Sequence, residues 1–284
     1  MSLTVLGLVL AAAFAHAGWN FLAKGAQGGV GFVWLSTLAS AVLYLPVLAF
    51  ASAEDVGWEA LGLMFGSGAL HALYFVLLQR GYATGDLSLV YPLARGTGPL
   101  LSTTAAIVVL GERPSALAIV GAAVIIGSVF SLVARPGGGS AMGTARDATT
   151  FALLTGVAIA GYTLWDKQAV DGAGLNPLVY YWGTNAFNLL LISLWVARRW
   201  GGVPRAWAHS RWRAVGVGAL SPLAYILVLY ALARAPVSYV APARETSILL
   251  GTLLGTTVLA EGDTTRRLLA AGGIVLGVTA LALG

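Results

Sequence analysis

Ten apolar stretches follow one another along this chain, at 3–23, 30–51, 58–79, 87–110, 115–134, 149–168, 176–197, 212–233, 237–260 and 266–283. Each is about as long as the ~20 residues an α-helix needs to cross a bilayer. Inside lipid the backbone N–H and C=O groups have no water to bond, so a stretch of this kind satisfies them within itself, as a helix. Short polar punctuation lies between the stretches, such as Gln27-Gly28-Gly29, Glu54-Asp55, Glu112-Arg113-Pro114 and Asn176-Pro177. The longest polar segments, 135–147 and 198–213, are too short to fold alone and read as surface loops. The charge content is 10%, against 58% apolar residues. A soluble domain carries about 25% charge, so a water-facing globule is excluded. The chain has no cysteine, which excludes disulfides, thiol catalysis, iron–sulfur clusters and cysteine-ligated zinc. Residues 1–18 run into Trp19-Asn20 without a small-x-small exit, so the first stretch is expected to stay as a span.

The chain also repeats itself. Gly68-Ala69-Leu70, Leu73 and Leu77 match Gly218-Ala219-Leu220, Leu223 and Leu227. Ser88, Val90 and Pro92 match Ser238, Val240 and Pro242. After a one-residue deletion Ala94-Arg95 matches Ala243-Arg244, and Glu112 matches Glu261. Ala17-Gly18, Lys24 and Ala26 match Ala160-Gly161, Lys167 and Ala169, with Trp19 opposite Tyr162. The division is a first five-helix unit at 1–134, a linker at 135–148 and a second unit at 149–284. Five is odd, so the second copy enters the membrane upside down. Inverted repeats of this kind let two halves rock about a site at their interface. The expected fold is an all-α integral membrane protein, with ten transmembrane helices in two inverted repeats around a central cavity.

The net charge of +5 reads as orientation rather than as a nucleic-acid surface, because the basic residues sit in loops. Alternate loops hold Lys24, Arg80, Arg135, Arg146, Arg198, Arg199, Arg205, Arg211, Arg213, Arg266 and Arg267; the others hold Arg113, Lys167 and Arg234. Cytoplasmic loops carry the positive excess, which places both termini outside the cytoplasm. The wealth of Ala, Gly and Arg suggests a bacterial inner membrane.

Two motifs carry a family resemblance: His16-Ala-Gly-Trp19-Asn20 in the first span, and the run from Gly81 through Ser88, Tyr91-Pro92 and Arg95 to Gly111-Glu112-Arg113-Pro114. On these residues the whole chain resembles the drug/metabolite transporter superfamily, in its ten-span branch with two EamA-type domains. The resemblance implies a secondary carrier, mostly an exporter, of amino acids and other small metabolites. The small four-span multidrug members use a membrane-embedded Glu in span one, and span one here has no acid.

Charges at mid-membrane cost roughly 2.5–3.5 kcal/mol on insertion scales and mark function. Arg95 lies about eight residues into span four, roughly 12 Å deep, and Arg244 and Glu245 sit at similar depth in span nine. Either arginine suits an anionic group on a substrate; an Arg–Glu pair pinning the halves together is the structural reading of the same residues. Glu245 suits a substrate ammonium and is the best proton-coupling candidate. His16, Asn20 and Lys24 form one polar stripe on span one, beside Trp19. His71, with Tyr74 near it and Tyr225 opposite, supplies an aromatic wall; Tyr91 shares a face with Arg95. Tyr162, Trp165, Trp34, Trp182 and Asn185 are weaker candidates, because membrane aromatics are usually anchors or packing. Asp166 and Lys167 lie near a span end and read as interfacial.

No Walker A motif is present, so a gradient drives the carrier. No cofactor or metal is expected. The partners are a small-molecule substrate and the bilayer, and a monomer is the simplest assembly. The first reading is export of amino acids or similar zwitterionic or anionic compounds; the second is an organic-cation or drug exporter. A distant third is an intramembrane enzyme acting on lipid phosphates.

Overall fold

The computed structural model describes residues 1–23, 26–84, 87–133, 142–197, 202–248, 250 and 264–284. Lys24, most of the linker, residues 251–263 with Glu261, and the Tyr91 side chain lie outside the described part. Every regular element among the described residues is helical: α1 (Leu3–Ala23), α2 (Val30–Leu43), α3 (Trp58–Thr84), α4 (Leu87–Val109), α5 (Ala116–Val133), α6 (Met142–Lys167), α7 (Pro177–Val196), α8 (Gly202–Leu232), α9 (Val237–Ala243) and α10 (Thr264–Leu283), with short turns between. Four of the described helices are long and apolar enough to cross a membrane, within α1, α3, α6 and α8.

Local chemistry explains the ends. Pro46 removes the donor that would continue α2, and residues Leu45–Phe50 tighten into a 3₁₀ turn. The Asn176 side chain accepts from Leu178 N at 3.0 Å and Pro177 opens α7, a favoured N-terminal pair. The Glu112 carboxylate accepts from Val237 N at 2.7 Å and Ser238 N at 2.9 Å, capping α9. Lys167 Nζ donates to Leu232 O at 2.7 Å and Ala235 O at 3.2 Å, closing the end of α8.

Two elements depart from the sequence reading. The segment 198–213, read as a loop, is helical from Gly202 and continuous with α8, which is 31 residues long. Its backbone is held where Gln27 N donates to Ser210 Oγ at 2.9 Å and where a Cβ on Gly28 would stand 2.5 Å from that of Ala206. Such a helix is about 46 Å long, well beyond the ~30 Å hydrocarbon layer. The second departure is in span nine, read as one run. Pro242 has no N–H, and α9 stops at Ala243. Glu245 N then bonds Pro242 O at 3.0 Å and Ile248 N bonds Glu245 O at 2.9 Å, three residues back rather than four. Arg244 and Glu245 sit in this tightened turn.

Packing is reciprocal between the halves. α1 and α2 lie against α8, α6 and α7 lie against α3, and α5 lies against α10. A Cβ on Gly68 would stand 2.9 Å from Phe187 Cβ and 3.0 Å from Thr184 O; one on Gly218 would stand 2.8 Å from Ala39 Cβ and from Ser36 O. Leu220 packs on Gly18, and Leu70 on Gly161. Trp34 Nε1 donates across to Ser193 Oγ and Trp182 Nε1 to Ala41 O. The outer surface is apolar: Leu3, Trp58, Val108, Trp212 and Leu276 are exposed, while Arg95, Asp166 and Glu245 are buried. That distribution suits lipid outside and polar groups within.

Candidate functional site

A cavity of about 470 Å³ lies between the halves, lined by residues of α1–α4 and α6–α8 and by Arg244. Ligand pockets fall at about 300–1,000 Å³, so a small metabolite fits. α4 carries Arg95 into the wall, and the tightened turn after α9 carries Arg244. Behind them Glu245, 1% exposed, takes an ion pair from Arg95 Nη2 at 3.1 Å and stands 3.8 Å from Arg244 Nε. Two guanidinium groups therefore share one carboxylate, leaving one net positive charge at the wall. Arg244 Nε is buried with no hydrogen-bond partner among the described residues, whereas buried donors are normally satisfied.

The two histidines carry their protons on different ring nitrogens. Trp19 Nε1 donates to His16 Nδ1 at 3.2 Å, which makes that nitrogen an acceptor and puts the proton of the neutral ring on Nε2. His71 Nδ1 lies 2.9 Å from Ser67 O, an acceptor only, so here Nδ1 carries the proton and Nε2 accepts. His71 stacks on Tyr162, centroids 4.2 Å apart, and meets Tyr225 edge-on at 5.3 Å. Tyr74 and Tyr181 extend this cluster, and Arg244 lies 6.0 Å from the Tyr162 ring centroid.

Of the residues singled out from sequence, His16, Trp19, His71, Tyr74, Arg95, Tyr162, Tyr225, Arg244 and Asn185 line one cavity. Others stand elsewhere. Asn20 Nδ2 bonds its own helix at His16 O, 2.7 Å away. Trp165 is 40% exposed and donates to Leu63 O at 2.8 Å, where Gly66 makes room for its ring; it fixes α6 against α3. Trp34 and Asn185 join α2 to α7, the latter through Thr37 O at 3.2 Å. Tyr181, Ser40 and Asn188 line the cavity without having been singled out. Ser40 and Asn188 stand 148 positions apart, as do Trp34 and Trp182, and Ser36 and Thr184. A repeat alignment carried through spans two and seven finds them.

Asp166 is the larger correction. It is not at an aqueous interface but fully buried; Tyr180 Oη donates to its Oδ1 at 2.7 Å, and Tyr225 Oη donates to its Oδ2. Lys167, next along, turns away to α8 and to Asp171 at 2.9 Å.

With this geometry in place, comparison with known proteins adds a match over the second part of the chain. Residues 148–283 match the EamA-like transporter family. That family is one of membrane transporters and not of enzymes, and the match spans just under half of the chain. No curated protein matches the chain. Among solved structures 29 chains match. One of them, described as a crystal structure of a protein, aligns with a TM-score of 0.77 at 17% identity, over all of this chain and 98% of the other. That likeness is one of fold.

Proposed function

We propose that this EamA-like chain is a ten-span secondary carrier, built as two inverted five-helix repeats, that moves a small zwitterionic or anionic metabolite by alternating access. The carrying observation is the cavity wall: two buried arginines share one glutamate, so the wall attracts a carboxylate or a similar anion. Asn185, Asn188 and the tyrosine cluster complement the rest of an amino-acid-like guest. The reciprocal contacts of Gly68 and Gly218, and of Gly18 and Gly161, support a two-fold relation between the halves. Export across a bacterial inner membrane, with both termini outside the cytoplasm, completes the reading. Phosphatase and GFP fusions at Gly284 test that orientation; a fluorescent, phosphatase-inactive terminus reverses it.

The function itself is tested by ligand-dependent melting of the purified protein against amino acids, organophosphates and lipophilic cations. A ligand at about 100 times its Kd adds ~2.7 kcal/mol of apparent stability. A shift with zwitterions or anions, absent in Arg244→Ala, is expected. A shift with lipophilic cations alone, retained in that variant, replaces this reading with drug export.

A further inference from the structure

Asp166 is the buried carboxylate that the anion-binding wall leaves unused. It is 0% exposed. Its two oxygens are held by hydroxyls from two other helices, Tyr180 on α7 and Tyr225 on α8. Among the described residues no lysine or arginine pairs with it: Arg95 and Arg244 face Glu245, and Lys167 faces Asp171. The titratable and charged groups facing it are Tyr180 on α7, Tyr225 on α8 and His71 on α3, with Lys167 next to it on its own helix; Tyr162 and, beyond α9, Arg244 lie on the far side of the same ring cluster. Glu245, by contrast, has a cation within 3.1 Å and another at 3.8 Å, so its charge is tied up in holding the wall together.

We infer that Asp166, rather than Glu245, is the proton-binding group of the carrier, reporting to the cavity through Tyr225. An ionised carboxylate accepts both tyrosine O–H groups. A protonated one becomes a donor itself, and its O–H oxygen is a poor acceptor, so it releases one of them. Tyr225 is the one that can respond, because its ring lines the cavity and touches His71, Tyr162 and Tyr181, whereas Tyr180 is fully buried. Proton binding at Asp166 thus frees a hydroxyl donor at the cavity wall, and a guest that takes this donor favours the protonated acid. His71 meets the Tyr225 ring edge-on, with centroids 5.3 Å apart, and so lies beside the hydroxyl that responds.

This inference rests on the carrier reading, and its test needs no identified substrate. Proteoliposomes on a solid-supported membrane are given a pH jump in substrate-free buffer. Wild type gives a transient current from proton binding. Asp166→Asn reduces it to the level of protein-free liposomes, and Glu59→Gln, an exposed acid at the start of α3, leaves it intact. Tyr225→Phe removes one donor to the carboxylate and moves the half-maximal pH of the current upward by about one unit or more; this variant decides the matter where Asp166→Asn does not fold. No current in wild type, an equal current in Asp166→Asn, or an unmoved midpoint in Tyr225→Phe overturns the inference. Counterflow of the panel compounds in the same liposomes requires no net proton movement. Counterflow without an Asp166-dependent current therefore removes only this inference, whereas the current without counterflow removes the carrier reading.

Discussion

Breaking the Arg95–Glu245–Arg244 cluster has a calculable outcome. At an effective dielectric near 20, a pair 3.1 Å apart is worth about 5 kcal/mol and one 3.8 Å apart about 4 kcal/mol. Desolvation of the three groups cancels much of that gain. Removing one partner, however, strands the rest, and that costs about 3–5 kcal/mol in buried pairs. Glu245→Gln leaves two guanidinium groups buried beside each other, 9% and 7% exposed. It is expected to lose about 3–5 kcal/mol. Arg95→Gln combined with Glu245→Gln restores the original net charge of the wall. The double variant is therefore expected to be more stable than Glu245→Gln alone, with a coupling of about 2–3 kcal/mol. Equilibrium unfolding in mixed micelles, on wild type, both single variants and the double, closes the cycle. Additive losses would refute the shared-carboxylate picture and with it the positive wall.

Two further outcomes follow from the packing. Gly218→Val meets backbone atoms of α2 at 2.8 Å and 2.9 Å and should cost at least the 1–3 kcal/mol typical of overpacking, whereas Gly127→Ala, with open space around it, should be neutral or gain up to about 1 kcal/mol; thermal unfolding of the two variants compares them. Asp55, in the turn before α3, is 5% exposed and accepts from Asn176 N at 2.7 Å, Ser52 Oγ at 2.8 Å and Ser52 N at 3.0 Å. Burial alone would raise its carboxyl, but the Ser52 and Asn176 donors outweigh that and hold it below the usual carboxylate range. Its contribution is then present at neutral pH and lost as pH falls below about 4. Hydrogen exchange at the start of α7 should accelerate roughly tenfold in Asp55→Asn at pH 7; in wild type the protection should fade only in acid.

Among the described residues, helix positions were legible because lipid forces an apolar segment to satisfy its own backbone. Lengths were less so. Hydropathy marks where lipid touches a helix, not where the helix stops, so α8 extends through Arg205, Trp207 and Arg211 beyond its apolar part. The arginines and histidines of the cavity were found from their rarity in apolar surroundings. Trp165 and Asn20 show the limit of that argument: a polar group on a span is as readily satisfied by a carbonyl of its own or a neighbouring helix. Asp166 was misplaced because its position in the sequence, beside Lys167 and close to a polar segment, suggests an interface. Only the tertiary arrangement brings Tyr180 and Tyr225 over it.

The turn at Arg244 has a consequence for energetics that the repeat conceals. A carrier made of two identical inverted halves would have two end states of equal energy, each the mirror of the other in role. Here α4 runs unbroken past Pro92 and Arg95, while its counterpart α9 stops one residue before Arg244. The same arginine is borne by a stiff rod on one side and by a jointed one on the other. Exchanging the roles of the halves then exchanges unlike elements, and the degeneracy is lifted. For the carrier proposed above, the two empty end states are then unequal in energy, and one side is preferred.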